Sequence, residues 1–160
     1  AALEVQPIPL SEDVGLYVYQ NAAYVWLAID YPEGSYGTVD MELLTESLPS
    51  PLNLHVSAQL GEWTVGDTLA QPTKATSDKW WNISGWYANP LWANGIDTTG
   101  AEPRFKLKNG EIREIQLSKK RFGRGTWQFK LKVNAIRRAA GGFYSLTFPE
   151  KKRYYELVVK

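Results

Sequence analysis

Alternation of apolar and polar residues is the feature that most constrains this chain. Within residues 23–31, Val25, Leu27 and Ile29 fall on one side of an extended segment and polar or aromatic residues on the other. A period of two is that of a β-strand with one buried face. The pattern recurs over residues 14–19, 36–46, 52–60, 112–117, 126–134, 143–148 and 154–159. These strands predict an all-β fold, a two-sheet antiparallel β-sandwich of the jelly-roll or immunoglobulin-like kind.

The chain of 160 residues is long enough to bury a core and is expected to form one domain over residues 1–160. Residues 118–122 predict a single helical turn with Ser118 as its N-cap. Residues 61–110 form a long, Trp-rich region with little alternation. The apolar positions of the strands predict a core that includes Val25, Leu27, Ile29, Val39, Met41, Leu54, Val56, Phe129 and Leu131.

Charge is divided unevenly along the chain, although the net charge is only +1. Residues 1–100 contain twelve acidic and two basic side chains, whereas residues 101–160 contain five acidic and sixteen basic ones. Three interpretations are open. The halves interleave in one sandwich and neutralise each other, the basic half binds an anionic partner, or copies associate head to tail.

The Trp-rich region contains the strongest candidate for a binding site. An indole can stack on the C–H face of a pyranose while neighbouring amides and carboxylates bind hydroxyls, and aromatic residues are also common at protein interfaces. The alternative is that the region covers an open end of the sandwich and buries two or three of its tryptophans. The candidate ligand-binding residues are Trp80, Trp81, Trp86, Tyr87, Trp92, Asn82, Asn89, Asn94 and Asp97.

A basic stripe follows the predicted helical turn. Clusters of this kind bind anionic polysaccharide or an acidic protein surface, or they form a solvated face that protects a sheet edge from aggregation. Further basic runs lie at residues 137–138 and 151–153. The candidate basic patch comprises Lys119, Lys120, Arg121, Arg124, Lys130 and Lys132.

The sequence carries few signatures of catalysis or cofactor binding. The sequence has no cysteine, no Gly-x-Ser-x-Gly motif, no phosphate-binding loop and a single histidine, so no enzyme class is favoured. Haem ligation by Met41 and His55 is disfavoured, since their strand parities direct the two side chains to opposite faces. No cofactor is expected, and a structural calcium ion at Asp40 and Glu42 stays open. Neither a nucleic-acid-binding motif nor a membrane-spanning apolar stretch occurs.

The order of these features resembles the group of family 9 carbohydrate-binding modules and DOMON-like domains. The likeness lies in the early hairpin of residues 16–19 and 24–30, in the strand-then-short-helix segment of residues 114–123, and in the Trp-bearing strand at 126–133. The group's acidic-Gly turn is missing before Val14. The resemblance implies an antiparallel sandwich in an exported protein, periplasmic, cell-surface or extracellular, that binds sugars, haem or another ligand.

Together these observations predict an exported, non-catalytic binding module that takes carbohydrate, or an anionic polymer, on an aromatic platform. The alternative is a structural, self-assembling surface protein in which the acidic half of one copy meets the basic half of the next.

Overall fold

The computed structural model describes residues 6–89, 96–105 and 110–160. Short strands dominate these residues, with one helical turn among them. The elements are β1 (Ile8–Pro9), β2 (Gly15–Gln20), β3 (Tyr24–Ser35), β4 (Thr38–Leu44), β5 (Leu52–Val56), β6 (Leu60–Thr64), β7 (Trp86–Ala88), β8 (Ile96–Asp97), β9 (Arg104–Phe105), β10 (Gly110–Ser118), α1 (Lys119–Phe122), β11 (Gly125–Arg137), β12 (Phe143–Phe148) and β13 (Tyr155–Val159).

Two sheets account for most of these strands. The five-stranded sheet has the order β1-β2-β3-β10-β7. The six-stranded sheet has the order β12-β11-β4-β5-β6, and β13 pairs with the first part of β11 while β12 pairs with the last part. A separate ribbon joins β8 and β9, and all of these pairings are antiparallel. The predicted all-β, two-sheet antiparallel sandwich is therefore confirmed.

The core lies between the two sheets and follows the alternation of the sequence. On β4, for example, Val39, Met41 and Leu43 are fully buried, whereas the residues between them reach the outer surface. Residues from both sheets form one apolar cluster. All nine predicted core residues are fully buried, which confirms them: Val25, Leu27, Ile29, Val39, Met41, Leu54, Val56, Phe129 and Leu131.

Strand parity also separates Met41 from His55. Met41 is fully buried between the sheets, and His55 lies on the outer surface of the same sheet, where its side chain is 20% exposed. The two side chains therefore lie on opposite faces, as the argument against haem ligation requires.

The single helical turn α1 carries the chain from one sheet to the other. It connects β10 of the five-stranded sheet to β11 of the six-stranded sheet. The Ser118 hydroxyl accepts a hydrogen bond from the Lys120 backbone N–H, so the predicted N-cap is confirmed. None of the helical residues described forms a segment long and apolar enough to cross a membrane.

The acidic and basic halves of the sequence meet within the six-stranded sheet. Strand β4 pairs with β11 so that Asp40 is opposite Lys132 and Glu42 is opposite Lys130. The imbalance along the sequence is therefore compensated locally in space at these strands. This arrangement agrees with the interleaving interpretation of the charge pattern.

Candidate functional site

The outer surface of the six-stranded sheet carries polar and aromatic side chains in two rows. Because β4, β5 and most of β11 bury alternate residues, the remaining residues of these strands line up across the sheet, and β6 continues the rows. One row runs Trp63, Asn53, Glu42, Lys130, and the next runs Gly61, His55, Asp40, Lys132. We call this surface the charged face, defined by Asp40, Glu42, Asn53, His55, Trp63, Lys130 and Lys132.

Asp40 is the centre of a hydrogen-bond network on the charged face. Its Oδ1 atom lies 2.8 Å from His55 Nδ1 and accepts a bond of 3.0 Å from Asn53 Nδ2. Burial raises the pKa of Asp40, but the hydrogen bond and charge of His55, the Asn53 bond and the charge of Lys132 outweigh it and hold the pKa below its usual value. The carboxylate is therefore ionised at neutral pH and fixed in position.

Glu42 is held from the opposite direction by the segment before β13. The Tyr154 hydroxyl donates to Glu42 Oε1 at 2.5 Å. This hydrogen bond, with burial as the smaller cause, raises the pKa of Tyr154. Both carboxylates of the charged face thus have hydrogen-bond donors within the protein.

Three aromatic rings border this network. The His55 ring stacks on Trp63 with a centroid distance of 5.8 Å and contacts Trp80 at 5.4 Å. Trp80 can lie against the sheet because Gly61 has no side chain: a Cβ there would come within 2.9 Å of the indole. The Trp80 Nε1–H donates to the Lys74 carbonyl at 2.9 Å, which fixes the loop over the strand.

A depression of about 310 Å³ lies in the middle of the charged face. Carboxylate, amide, hydroxyl and ammonium groups line it, and Trp63 is opposite one of its lining residues, Asn53, on the adjacent strand. Ligand sites combine a concave surface with a few polar groups that fix orientation. The lining residues are Asp40, Glu42, Asn53, Lys130, Lys132 and Thr147.

The predicted Trp-rich platform does not form as one surface. Trp80 lies over the outside of β6, whereas Trp81, in a left-handed backbone conformation with φ of 66°, packs from the inside against the core. Trp86 is a core residue and not part of an exposed platform, since pairing of β7 with β10 directs it inward. It is 6% exposed, and its Nε1–H donates to Glu62 Oε2 at 2.6 Å.

Of the other residues of that candidate site, Tyr87 and Asn89 line one depression on the five-stranded sheet, and Asn82 is not among its lining residues. Asn82 is exposed, and the side-chain oxygen of Asn89 accepts a 2.7 Å bond from the Glu114 backbone N–H. Tyr87 points outward on the five-stranded sheet and is 53% exposed. Trp92 and Asn94 lie outside the described residues, and Asp97 is described only as a backbone position in β8.

The predicted basic patch is also divided. Lys119 is buried, a correction to its place on a solvated surface, because its Nζ donates to Gln20 Oε1 and to the Asn21 and Lys160 carbonyls. Arg121 forms a two-point ion pair with Glu62, with both N–O distances 2.7 Å. Arg124 donates to the Ala22 and Lys160 carbonyls. Lys120 is exposed beside them, while Lys130 and Lys132 lie apart, on the charged face.

The outer surface of the five-stranded sheet is aromatic. Tyr19 and Tyr24 pack against Trp26 with centroid distances of 5.3 and 5.6 Å, and Tyr87 lies two strands away in the same row. A depression of about 220 Å³ between Trp26 and Tyr87 is bordered by Glu114 and Gln116. We call this surface the aromatic face, defined by Tyr19, Tyr24, Trp26 and Tyr87.

Sequence reasoning missed Trp63 and the proximity of Asn53, Asp40 and Glu42 to the lysines of β11. Alternation had marked Asn53 and His55 as outward-facing on one strand and Asp40 and Glu42 on another. The missing information was the strand order, which brings β11 beside β4 and β6 beside β5.

The calcium ion that the sequence leaves open would lie at Asp40 and Glu42. Within residues 6–89, 96–105 and 110–160, no group of three or more His, Cys, Asp or Glu side chains could hold a metal ion. Asp40 and Glu42, the pair for which the sequence leaves calcium open, instead accept hydrogen bonds from protein donors.

The chain matches no protein-family model and no curated protein in sequence. In three dimensions it is similar to a candidate carbohydrate-binding protein from Bacteroides uniformis ATCC 8492, known from its crystal structure. The TM-score is 0.45 and the sequence identity 9%, and the match covers 98% of this chain and 87% of that one.

Proposed function

We propose that this protein is a non-catalytic carbohydrate-binding module and that its charged face binds the glycan. The observation that carries the proposal is that Asn53 and the two carboxylates line one depression, with Trp63 opposite Asn53 on the adjacent strand. An indole offers a flat apolar surface to the C–H face of a sugar ring, and fixed amide and carboxylate groups offer acceptors and donors to its hydroxyls. The network around Asp40 keeps these groups in position before a ligand arrives, which reduces the entropy lost on binding.

The aromatic face is the weaker candidate for the same function. Its rings are more exposed, but fewer polar side chains line its depression than line the depression of the charged face. The self-assembly alternative has less support, because two of the acidic and two of the basic residues that suggested it lie opposite each other on β4 and β11 of one chain.

The same proposal extends to the family and the location of the protein. We propose that the chain is a distant relative of the family 9 and DOMON-like group and that it is exported. Support comes from the succession of β10, α1 and the Trp-bearing β11, which matches the segment on which the resemblance is based.

A matched pair of tryptophan variants tests the proposal. A glycan-array screen first identifies a ligand, and calorimetry then compares Trp63→Ala with Trp26→Ala. We expect Trp63→Ala to weaken binding at least about tenfold, the loss of a hot-spot aromatic contact, and Trp26→Ala to have little effect. Thermal melts of both variants, together with Trp63→Phe, which keeps a ring, separate lost binding from lost folding.

Two results would contradict the proposal. If no glycan binds to the folded protein, the carbohydrate function is wrong. If Trp26→Ala abolishes binding and Trp63→Ala does not, the glycan binds at the aromatic face instead.

A further inference from the structure

We infer that the glycan bound at the charged face is an anionic one, carrying carboxylate or sulfate groups. This inference rests on the proposed function. Its first support is that, among the described residues, the two carboxylates of the charged face have hydrogen-bond partners within the protein and the two ammonium groups do not. Asp40 is bound by His55 and Asn53, and Glu42 by Tyr154. By contrast, within the described part of the chain neither Lys130 nor Lys132 makes a hydrogen bond or an ion pair.

The two ammonium groups are therefore the charges that remain for a ligand. Each has three N–H donors on a flexible four-carbon stem, and both lysines line the 310 Å³ depression. Lys132 is exposed and Lys130 half-buried, so a ligand in the depression can reach both. An acidic group on a sugar ring beside Trp63 would accept hydrogen bonds from these donors, whereas Asp40 and Glu42, although opposite the lysines, make no hydrogen bond with them.

A second basic region continues from the same depression. Tyr154, which binds Glu42, also lines a neighbouring depression of about 340 Å³ together with Lys152 and Glu156. The Arg153 guanidinium lies over the Tyr154 ring, 5.3 Å from its centroid. Lys152 and Arg153 are both exposed, and Glu156 accepts a hydrogen bond from Gln128.

The two depressions together suit a chain with repeated acidic groups better than a single acidic sugar. One acidic group would lie near Lys130 and Lys132, and the next would lie near Lys152 and Arg153. Tyr154 lies at the boundary between the two depressions and contributes an aromatic ring there.

Three oligosaccharides of equal length test the inference by calorimetry. They are an oligogalacturonate, its methyl ester, in which the carboxylates are neutral, and a sulfated galacto-oligosaccharide. We expect at least one of the two anionic ligands to bind about tenfold more tightly than the ester, a preference that falls with increasing salt. The stronger of the two identifies whether the acidic group is a carboxylate or a sulfate.

Charge-removing variants locate the preference. Lys130→Gln/Lys132→Gln should lose the preference for the anionic ligand and keep the affinity for the ester. Lys120→Gln, which removes an exposed lysine of α1, should leave both affinities unchanged. Circular dichroism melts check that the variants are folded.

The outcomes distinguish this inference from the proposed function. Equal affinity for anionic and esterified ligands, or a preference that survives the double substitution, would overturn the inference while the carbohydrate function stands. If none of these ligands binds and the array yields only neutral glycans, the inference is also wrong. If the array yields no glycan at all, both fail.

Discussion

The outer faces of the two sheets differ in how their aromatic rings are combined with polar groups. On the aromatic face, Tyr19, Tyr24 and Tyr87 are 43%, 37% and 53% exposed, but few polar groups surround them. On the charged face, Trp63 and Trp80 are half-buried against His55, which binds Asp40, and Asp40 lines a depression with a second carboxylate, an amide and ammonium groups. Exposed aromatic area therefore does not by itself mark a specific site, because specificity needs fixed polar groups beside the ring.

The largest expected effect concerns an aromatic residue that belongs to neither face. Trp86→Ala should lower the free energy of unfolding by about 3–5 kcal/mol, because a buried indole leaves a cavity and Glu62 loses a donor. Urea denaturation measures the change, and any ligand affinity of the variant that remains folded should be unaltered. A loss below about 1 kcal/mol would indicate that Trp86 is not part of the core.

An intermediate effect on the free energy of unfolding, which depends on pH, is expected on the charged face. Asp40→Asn should cost about 1–2 kcal/mol at neutral pH, reduced by the partial exposure of the side chain. Because the folded pKa of Asp40 lies below its unfolded value, its carboxylate stabilises the fold above the unfolded pKa of about 3.9, and this stability is lost as the pH falls through the folded pKa.

Denaturation as a function of pH measures this contribution. Asp40→Asn should flatten the acid side of the stability profile. Asp30→Asn, which changes an exposed carboxylate on the outer side of β3, should leave the profile close to that of the parent protein. If the two variants give the same profile, the network around Asp40 does not stabilise the charged face.

The smallest effect is expected on the aromatic face. Tyr87→Ala should change the free energy of unfolding by no more than about 0.5 kcal/mol, since the ring is largely exposed and next to a backbone held by β10. It should also leave glycan affinity unchanged. A clear loss of affinity, measured by calorimetry, would shift the candidate site toward the aromatic face.

Local patterning was sufficient to predict the strands, the core and the cap of α1. Val39, Met41 and Leu43 could be assigned to one face because the side-chain period of a strand is fixed. The same parity separated Met41 from His55 without any knowledge of which strands are neighbours.

The site depended on information that alternation does not contain. Asn53 and Trp63 lie on different strands, and only the pairing of β5 with β6 brings them together. The Trp-rich segment misled for a related reason. Trp80 and Trp81 are adjacent in sequence, but Trp80 lies against Gly61 on the outer surface of β6, whereas Trp81, a left-handed residue, packs against the core.

The pairing of β4 with β11 also has a consequence for synthesis of the chain. Until residues 125–137 leave the ribosome, β4 lacks one of its two neighbours, β11. On that side β4 is an open edge of the growing sheet. During that interval Asp40 and Glu42 have no lysines opposite them, and their negative charge opposes pairing with β4 of another nascent chain. When β11 arrives, its lysines remove this repulsion. The same two carboxylates thus first oppose aggregation at the open edge and then favour pairing with β11.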